Sequence, residues 1–185
     1  MTTLYAMRRI FYILLLFSFF VSNAISENVQ QIKIVHLNKI IEREPTIYSI
    51  NPEVKNNGIL GSRMGIKDNN TTGKFTKQNF ELIEKNIMPG DSIKEIFEEF
   101  RKNEYKFFIL NVFKKDFEEV LSSDLLKGSI VINASLKDNN LRNEKCAKEV
   151  LHTAPSYRMV SDALIQFLKK KDWTKLLLIS GKNDR

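Results

Sequence analysis

The chain has 185 residues, a formal net charge of +7 and a single cysteine. This length allows one domain, or one domain and the start of another. Its 43% hydrophobic and 28% charged residues are ordinary for a globular protein, which argues against a fibrous or disordered chain. Lysine and glutamate are interspersed, and no basic stripe interleaved with aromatic residues occurs, so we reject nucleic-acid binding.

Residues 1–24 have the composition of a signal peptide. Two arginines form a basic n-region, the apolar run Ile10–Val21 follows, and Ser22–Ala24 offers the small residues that a signal peptidase recognises. The apolar run is shorter than the roughly 20 residues that span a bilayer, which favours cleavage over an uncleaved anchor. Cleavage after Ala24 or after Ser26 would give an exported protein with no stable membrane insertion.

The first predicted element of the exported chain is a strand over Gln31–Leu37, where apolar and polar residues alternate. His36, near its end, is interpreted as a satisfied core or surface histidine rather than a ligand. Residues 38–57 form a long irregular connection, and such connections are often functional or mobile. Because this one follows the first strand, we expect it at the carboxyl edge of a sheet.

The next stretch, Gly58–Leu82, predicts a helix, a turn and a strand. Gly61 and Gly65 lie four residues apart and leave one helical face nearly bare, which favours close packing against a sheet or another backbone. The helix is predicted to stop in Asp68–Gly73, because Asn, Thr and Gly favour caps and turns. Alternation over residues 80–84 then predicts a strand.

The rest of the chain predicts further alternating strands and helices, which indicates an α/β fold with a parallel sheet. One apolar side of the last helix is expected to be buried. The predicted helices span 92–100, 117–125, closed by Gly128, and 156–168, and the predicted buried strands span 107–111, 129–133 and 176–179. The expected buried stripe of the last helix is Met159, Val160, Ala163, Leu164, Phe167 and Leu168.

The sequence contains no catalytic or cofactor motif. Glycine-rich phosphate loops, G-x-S-x-G and H-E-x-x-H do not occur, so nothing favours an enzyme. Cys146 has only His36 and His152 as possible partners, which makes both a nucleophile–base pair and a zinc site poor interpretations. We therefore predict no catalytic residue, metal or cofactor, and we interpret Cys146 as a small buried apolar residue.

Four motifs stand out in the sequence: Gly61–Gly73 (GSRMGIKDNNTTG), Leu141–Cys146 (LRNEKC), Leu151–Ser156 (LHTAPS) and Ile47–Pro52 (IYSINP). They are similar to motifs of the extracytoplasmic solute-binding proteins of ABC transporters, of the branched-chain amino acid receptor type. The closest resemblance is to a subgroup associated with PQQ-dependent alcohol dehydrogenase systems.

The resemblance implies a two-lobed type I periplasmic-binding fold in the periplasm. Residues 27–150 would form the N-terminal α/β lobe, and residues 151–185 the crossover and an incomplete second lobe. The expected partners are a small-molecule solute and the permease and ATPase subunits at the inner membrane. In this family the loops after the strands of lobe one hold the solute. The matching residues are Phe113, Lys114, Lys115, Ala134, Ser135, Leu136 and Lys137.

The lysines in these loops change the expected ligand. Amino-acid receptors present hydroxyl groups and backbone donors there, whereas this chain has Lys114, Lys115 and Lys137, with Ser135 the only nearby hydroxyl. Lysine suits an anion and repels an ammonium group, so an anionic solute such as an organic acid is favoured, with plain solvent-facing charge as the alternative. A periplasmic ligand sensor of the same fold, without a transport partner, is the second functional hypothesis.

Overall fold

The computed structural model describes residues 29–40 and 58–179. The predicted signal peptide and the IYSINP motif lie outside the described residues, as does most of the irregular connection. Within the described ranges the protein is an α/β fold with a five-stranded, all-parallel sheet, which confirms the predicted fold class at this level. No helix in these ranges is long and apolar enough to cross a membrane.

Strands and helices alternate along most of the chain. Short 3-10 turns at Asp124–Leu126 and Asn140–Arg142 lie between them. The strands are β1 (Gln30–Lys39), β2 (Gln78–Ile87), β3 (Phe107–Asn111), β4 (Ile130–Asn133) and β5 (Val150–His152). The helices are α1 (Ile59–Thr76), α2 (Ile93–Lys102), α3 (Lys114–Leu121) and α4 (Tyr157–Lys170).

The strand order across the sheet is β2-β1-β3-β4-β5. This is one of the two common orders of doubly wound sheets, and it places a topological switch point between β1 and β3. The chain leaves β1 towards β2 through α1 and leaves β3 towards β4 through α3, so the two connections run to opposite sides. In such sheets the switch point opens a crevice outside the carboxyl ends of the strands.

One face of the sheet carries the main hydrophobic core. Val35 of β1 and Phe108 of β3 are fully buried there, under residues of α2 and α3. The ring centroid of Phe97 in α2 lies 4.2 Å from that of Phe108. The start of α2 agrees with its prediction, because the Ser92 hydroxyl accepts a hydrogen bond from the Glu95 N–H at 3.3 Å.

Among the described residues, the other face of the sheet is covered only over β1 and β2, where α1 packs. The strand register places apolar side chains of β3, β4 and β5 on the uncovered half. Ile130 and Leu151 are 43% and 55% exposed. A parallel sheet is ordinarily buried on both faces, so this half lacks its usual cover within the described residues.

Helix α1 continues past the point where the sequence predicts its end. It runs through the Asn-Thr-Gly stretch to Thr76 and ends at Lys77, which adopts a left-handed conformation with φ +57°. Asn70 both accepts a hydrogen bond from the Phe80 N–H and donates one to the Phe80 carbonyl, at 2.7 and 2.8 Å. These bonds to β2 use the Asn side chain without ending the helix, so the predicted stop is wrong.

The predicted close packing involves a different glycine. A Cβ atom at Gly61 or Gly65 would meet nothing within 4 Å in the described structure. A Cβ atom at Gly73 would instead overlap the Gln78 carbonyl oxygen. The close approach therefore lies in the last turn of α1, where the chain turns into β2.

Helix α3 ends earlier than predicted, at Leu121. The hydroxyl of Ser123 donates to the Val120 carbonyl at 2.6 Å, and such side-chain bonds compete with helix continuation. The C-cap of α3 is Ser122, so the prediction that Gly128 closes this helix is wrong; Gly128, with φ +73°, instead follows the 3-10 turn Asp124–Leu126.

The C-terminal third contains the largest corrections. Ser156 caps α4 as predicted, but of the expected buried stripe only Leu168 is buried, at 9% exposure. Residues 176–179 form no strand and are exposed. Cys146 is also exposed, not buried. The apolar pattern identifies surfaces suited to burial, and the described part of the chain supplies no partner for them.

Candidate functional site

Asparagine side chains form a row at the carboxyl ends of β2, β1 and β3. Asn86, Asn38 and Asn111 lie in register on the face that α1 covers. The Asn111 amide donates to Asn38 Oδ1 at 2.7 Å, and the Asn38 amide donates to Asn86 Oδ1 at 3.3 Å. Asn38 is only 6% exposed. This asparagine row crosses the switch point between β1 and β3.

Helix α1 begins beside this row. Gly58 precedes its first turn with φ +90°, a conformation that L-residues rarely adopt. A Cβ atom at Gly58 would overlap the Asn111 amide and lie 3.3 Å from Asn38 Oδ1. No side chain of the described ranges caps the helix, and its first turn has no acidic residue. The first N–H groups, for which the described residues supply no side-chain cap, and the positive end of the helix dipole therefore lie next to the asparagine row.

A second polar cluster lies under the first half of α1. His36 is fully buried, and its Nδ1 atom lies 2.7 Å from the Ser62 hydroxyl oxygen. Its other ring nitrogen, Nε2, is buried and has no hydrogen-bond partner in the part of the chain that the structure describes. The prediction that His36 is hydrogen-bonded within the protein is therefore confirmed for Nδ1 and not for Nε2. Nearby, Arg63 makes two hydrogen bonds to the Glu84 carboxylate, at 2.6 and 2.7 Å.

Burial lowers the pKa of His36 below the usual 6.5, and the Glu84 carboxylate raises it by a smaller amount. As the pH falls below about 6.5, the unfolded chain therefore binds a proton before the folded one does. The stability that neutral His36 contributes is present above that pH and is lost as the pH falls through the folded-state pKa. We expect His36→Gln to flatten the rise of the urea midpoint between pH 5 and pH 7.5, measured by circular dichroism.

His152→Gln is the control for this prediction. Burial followed by the Arg142 charge lowers the pKa of His152, but that side chain is only half-buried. The control is expected to flatten the profile less. An unchanged slope in the His36 variant would contradict the predicted linkage.

The seven ligand-binding residues predicted from the resemblance follow β3 and β4, next to this edge. Phe113 is the N-cap of α3 and is 47% exposed. Lys114 and Lys115 form the first turn of α3 rather than a loop, so that part of the expectation is wrong. Lys115 and Lys137 are both exposed. The structure thus places these residues at the carboxyl edge, in the start of α3 and in the segment after β4.

Lys114 is paired with a carboxylate. Its Nζ atom lies 2.6 Å from Asp138 Oδ1, a bond that connects α3 to the segment after β4. This hydrogen bond, together with the charge of Asp138, raises the pKa of Lys114. The pairing compensates for a lysine at a helix N-terminus, where the dipole disfavours cations. Less of its charge is therefore available to an anionic ligand.

Asn133, the last residue of β4, fixes the turn that contains Ala134, Ser135 and Leu136. Its Oδ1 atom accepts from the N–H groups of Ser135 and Leu136 at 3.2 and 2.9 Å. Its amide donates to the Leu136 carbonyl at 2.8 Å and lies 2.9 Å from Nδ1 of His152. Asn133 is fully buried, and its hydrogen bonds hold this turn in place at the carboxyl edge of the sheet.

The structure adds residues that the sequence argument does not name. Gly58 and four asparagines near strand ends build the carboxyl edge. The sequence signal for these asparagines is a repeated position: asparagine is the last or the second-last residue of four consecutive strands. These asparagines are Asn38, Asn86, Asn111 and Asn133.

Other candidate sites are weaker. An open groove of about 320 Å³ lies between α3 and the segment before β5, lined in part by Cys146. Its lysine, Lys145, is paired with Glu118 at 2.9 Å. Among residues 29–40 and 58–179, no group of three or more His, Cys, Asp or Glu is placed to hold a metal ion.

Comparison of the chain with protein-family models, with curated proteins and with solved structures gives no match. Function must therefore be inferred from the carboxyl edge and from the motifs of the sequence.

Proposed function

We propose that the protein is the solute-binding component of an ABC importer, exported to the periplasm, and that its solute binds at the switch point between β1 and β3. The observation that carries this proposal is the asparagine row beside the N-terminus of α1, which no side chain of the described residues caps. Ligands of open parallel sheets bind outside the carboxyl ends of the strands at such a point. The family resemblance supports the same edge and, through its subgroup, a link to PQQ-dependent alcohol oxidation.

The groups at this edge favour a small anionic solute such as an organic acid. The first N–H groups of α1 are hydrogen-bond donors next to a positive dipole end, a combination that suits a carboxylate. Asparagine amides both donate and accept, so they suit hydroxyl or carbonyl groups on the same solute. Since Lys114 is paired with Asp138, we assign the anion to the helix N-terminus and not to the lysines.

Ligand-dependent thermal stability tests the proposal. In a screen of organic acids and amino acids, we expect an organic acid to raise the melting temperature and to be recovered chemically unchanged. Asn111→Leu keeps the side-chain size but removes the amide, and the lost hydrogen bonds are expected to weaken binding about 10- to 100-fold. Isothermal titration calorimetry measures the change.

Asn103→Leu is the matched control. Asn103 is the exposed C-cap of α2, at the edge of the sheet opposite the carboxyl ends. This variant is expected to bind the solute as the unmodified chain does. Equal affinity of the Asn111 variant would place the site elsewhere, and turnover of the solute would overturn the binding-protein proposal in favour of an enzyme.

Export is tested separately, by the mass of the protein recovered from the periplasm. Cleavage after Ala24 or Ser26 is expected, because small residues follow the apolar run. Intact-mass spectrometry distinguishes the two positions. A full-length chain that fractionates with the inner membrane would contradict the proposed location.

A further inference from the structure

Two apolar surfaces of the chain have no partner within the described residues. The first, the open sheet face, is the uncovered half of the sheet, and the second, the helix stripe, is one side of α4. Contiguous exposed apolar patches of this kind mark interaction surfaces. The open sheet face consists of Phe107, Ile109, Ile130, Ile132 and Leu151. The helix stripe consists of Met159, Val160, Ala163, Leu164 and Phe167, of which the four large residues are 48–58% exposed.

The two surfaces are both apolar and are similar in size. Helix α4 has 14 residues and is therefore about 21 Å long. The strands β3, β4 and β5 have at most five residues each. The three strands are therefore about 10 Å wide, measured between the axes of β3 and β5, and less than about 17 Å long. One helix of this length covers such an area, as α1 covers β1 and β2. Helices on both faces are the usual state of a parallel sheet.

Helix α4 is held away from its own sheet at its start. The Tyr157 N–H donates to the Lys137 carbonyl at 2.9 Å. The guanidinium of Arg142 donates to the Ala154 carbonyl, and the capping residue Ser156 is 4% exposed. Beyond these bonds at its start, α4 does not pack on its own sheet within the described residues, so its helix stripe is available to the open sheet face of another molecule.

We propose that two copies of the chain form a symmetric dimer by exchanging α4, with the helix stripe of each on the open sheet face of the other. A two-fold axis makes each contact occur twice, as in other isologous dimers. The exchange gives the dimer two helix–sheet contacts, and stable interfaces bury roughly 1,200–2,000 Å² in total. Trp173, with its ring centroid 6.2 Å from that of Phe167, extends the apolar surface beyond the helix end.

Dimerisation goes beyond the proposed solute binding and is measured independently of it. The open sheet face lies along β3, β4 and β5, while the solute site lies at the carboxyl ends of β1 and β3. Sedimentation velocity of the chain over a range of concentrations is expected to show a dimer. A monomer at all concentrations up to about 100 μM, well above the Kd expected for an interface of standard size, would overturn the proposal.

A matched pair of variants in α4 tests the interface. Leu164→Glu places a carboxylate in the helix stripe and is expected to raise the dimer Kd about 100-fold or more, since the charge would be buried. Ile165→Glu is the control, because Ile165 is 57% exposed against 56% for Leu164 but points to the opposite side of the helix. It is expected to leave the dimer intact. Equal dissociation by both variants, or by neither, would contradict the proposal.

Mixing two variants tests whether the exchange is reciprocal. Leu151→Lys on the open sheet face is expected to give a monomer on its own, as Leu164→Glu does. Both side chains are exposed, so circular dichroism of each monomer is expected to match that of the unmodified chain. An equimolar mixture leaves one contact native and pairs Lys with Glu in the other, so a heterodimer is expected. A mixture that stays monomeric would contradict helix exchange.

Discussion

Replacing Phe108 with alanine is expected to lower the free energy of unfolding by about 3–5 kcal/mol. Phe108 is fully buried on β3, and its ring packs against Phe97 of α2 at 4.2 Å between centroids. The substitution removes apolar contacts and leaves a cavity between the sheet and α2. Domains of this kind have about 5–15 kcal/mol of total stability, so a large fraction would be lost. Urea denaturation followed by circular dichroism measures the loss.

Phe75→Ala is the control for this substitution. Phe75 is 87% exposed near the end of α1, so its removal is expected to change stability by less than about 0.5 kcal/mol. A Phe108 variant as stable as the Phe75 variant would show that the core does not lie between β3 and α2.

Two glycines of the same helix are expected to respond to alanine with opposite signs. Gly73→Ala is expected to destabilise the protein by about 1–3 kcal/mol, because the new Cβ overlaps the Gln78 carbonyl oxygen and forces the start of β2 to move. Gly61→Ala is expected to stabilise it by up to about 1 kcal/mol, since alanine is the better helix former and its Cβ meets nothing within 4 Å. Urea midpoints of the two variants give the comparison.

Gly65→Ala provides a second test of the same helical face and is expected to behave like Gly61→Ala. Loss of stability in both the Gly61 and Gly65 variants would show that this face is packed after all, as the sequence suggests. A stable Gly73 variant would instead show that the junction of α1 and β2 is looser than described.

The short apolar strands were the most predictable part of the fold. The prediction of residues 107–111 agrees with β3, because a short apolar run identifies a parallel strand even where only one face of it is covered. The end of α1 was not predictable locally, because the side chain of Asn70 bonds to Phe80 of the next strand instead of ending the helix. Strand β5 has only three residues and carries too little alternation to be recognised.

Burial in the C-terminal third could not be predicted for a different reason. Helical spacing shows which side of α4 is apolar, but it does not show whether a partner surface is present. Leu164 satisfies the pattern and is 56% exposed. The pattern was therefore correct for the helix and wrong for its burial.

The edge that carries the candidate site can be named from the sequence more readily than the residues that form it. The rule that ligands bind outside the carboxyl ends of parallel strands leads to the same edge as the asparagine row. The charge of Lys114 can be read from the sequence. Its ion pair with Asp138 cannot be read in the same way, because Asp138 lies 24 residues away along the chain. The asparagine row likewise depends on register, because Asn38 and Asn111 become neighbours only when β1 pairs with β3.

The parallel arrangement also determines when each strand finds its partner. The first of the described strands, β1, lies inside the sheet between β2 and β3, and its neighbours lie far along the sequence: Gln30 is 48 residues from Gln78, and Asn38 is 73 residues from Asn111. The pairing of β4 with β5 closes a much shorter loop, with Asn133 and His152 only 19 residues apart. Such long loops must close before β1 gains either neighbour, and that slows folding. Until these loops close, β1 stays unpaired, with its apolar side chains exposed to other unfolded chains.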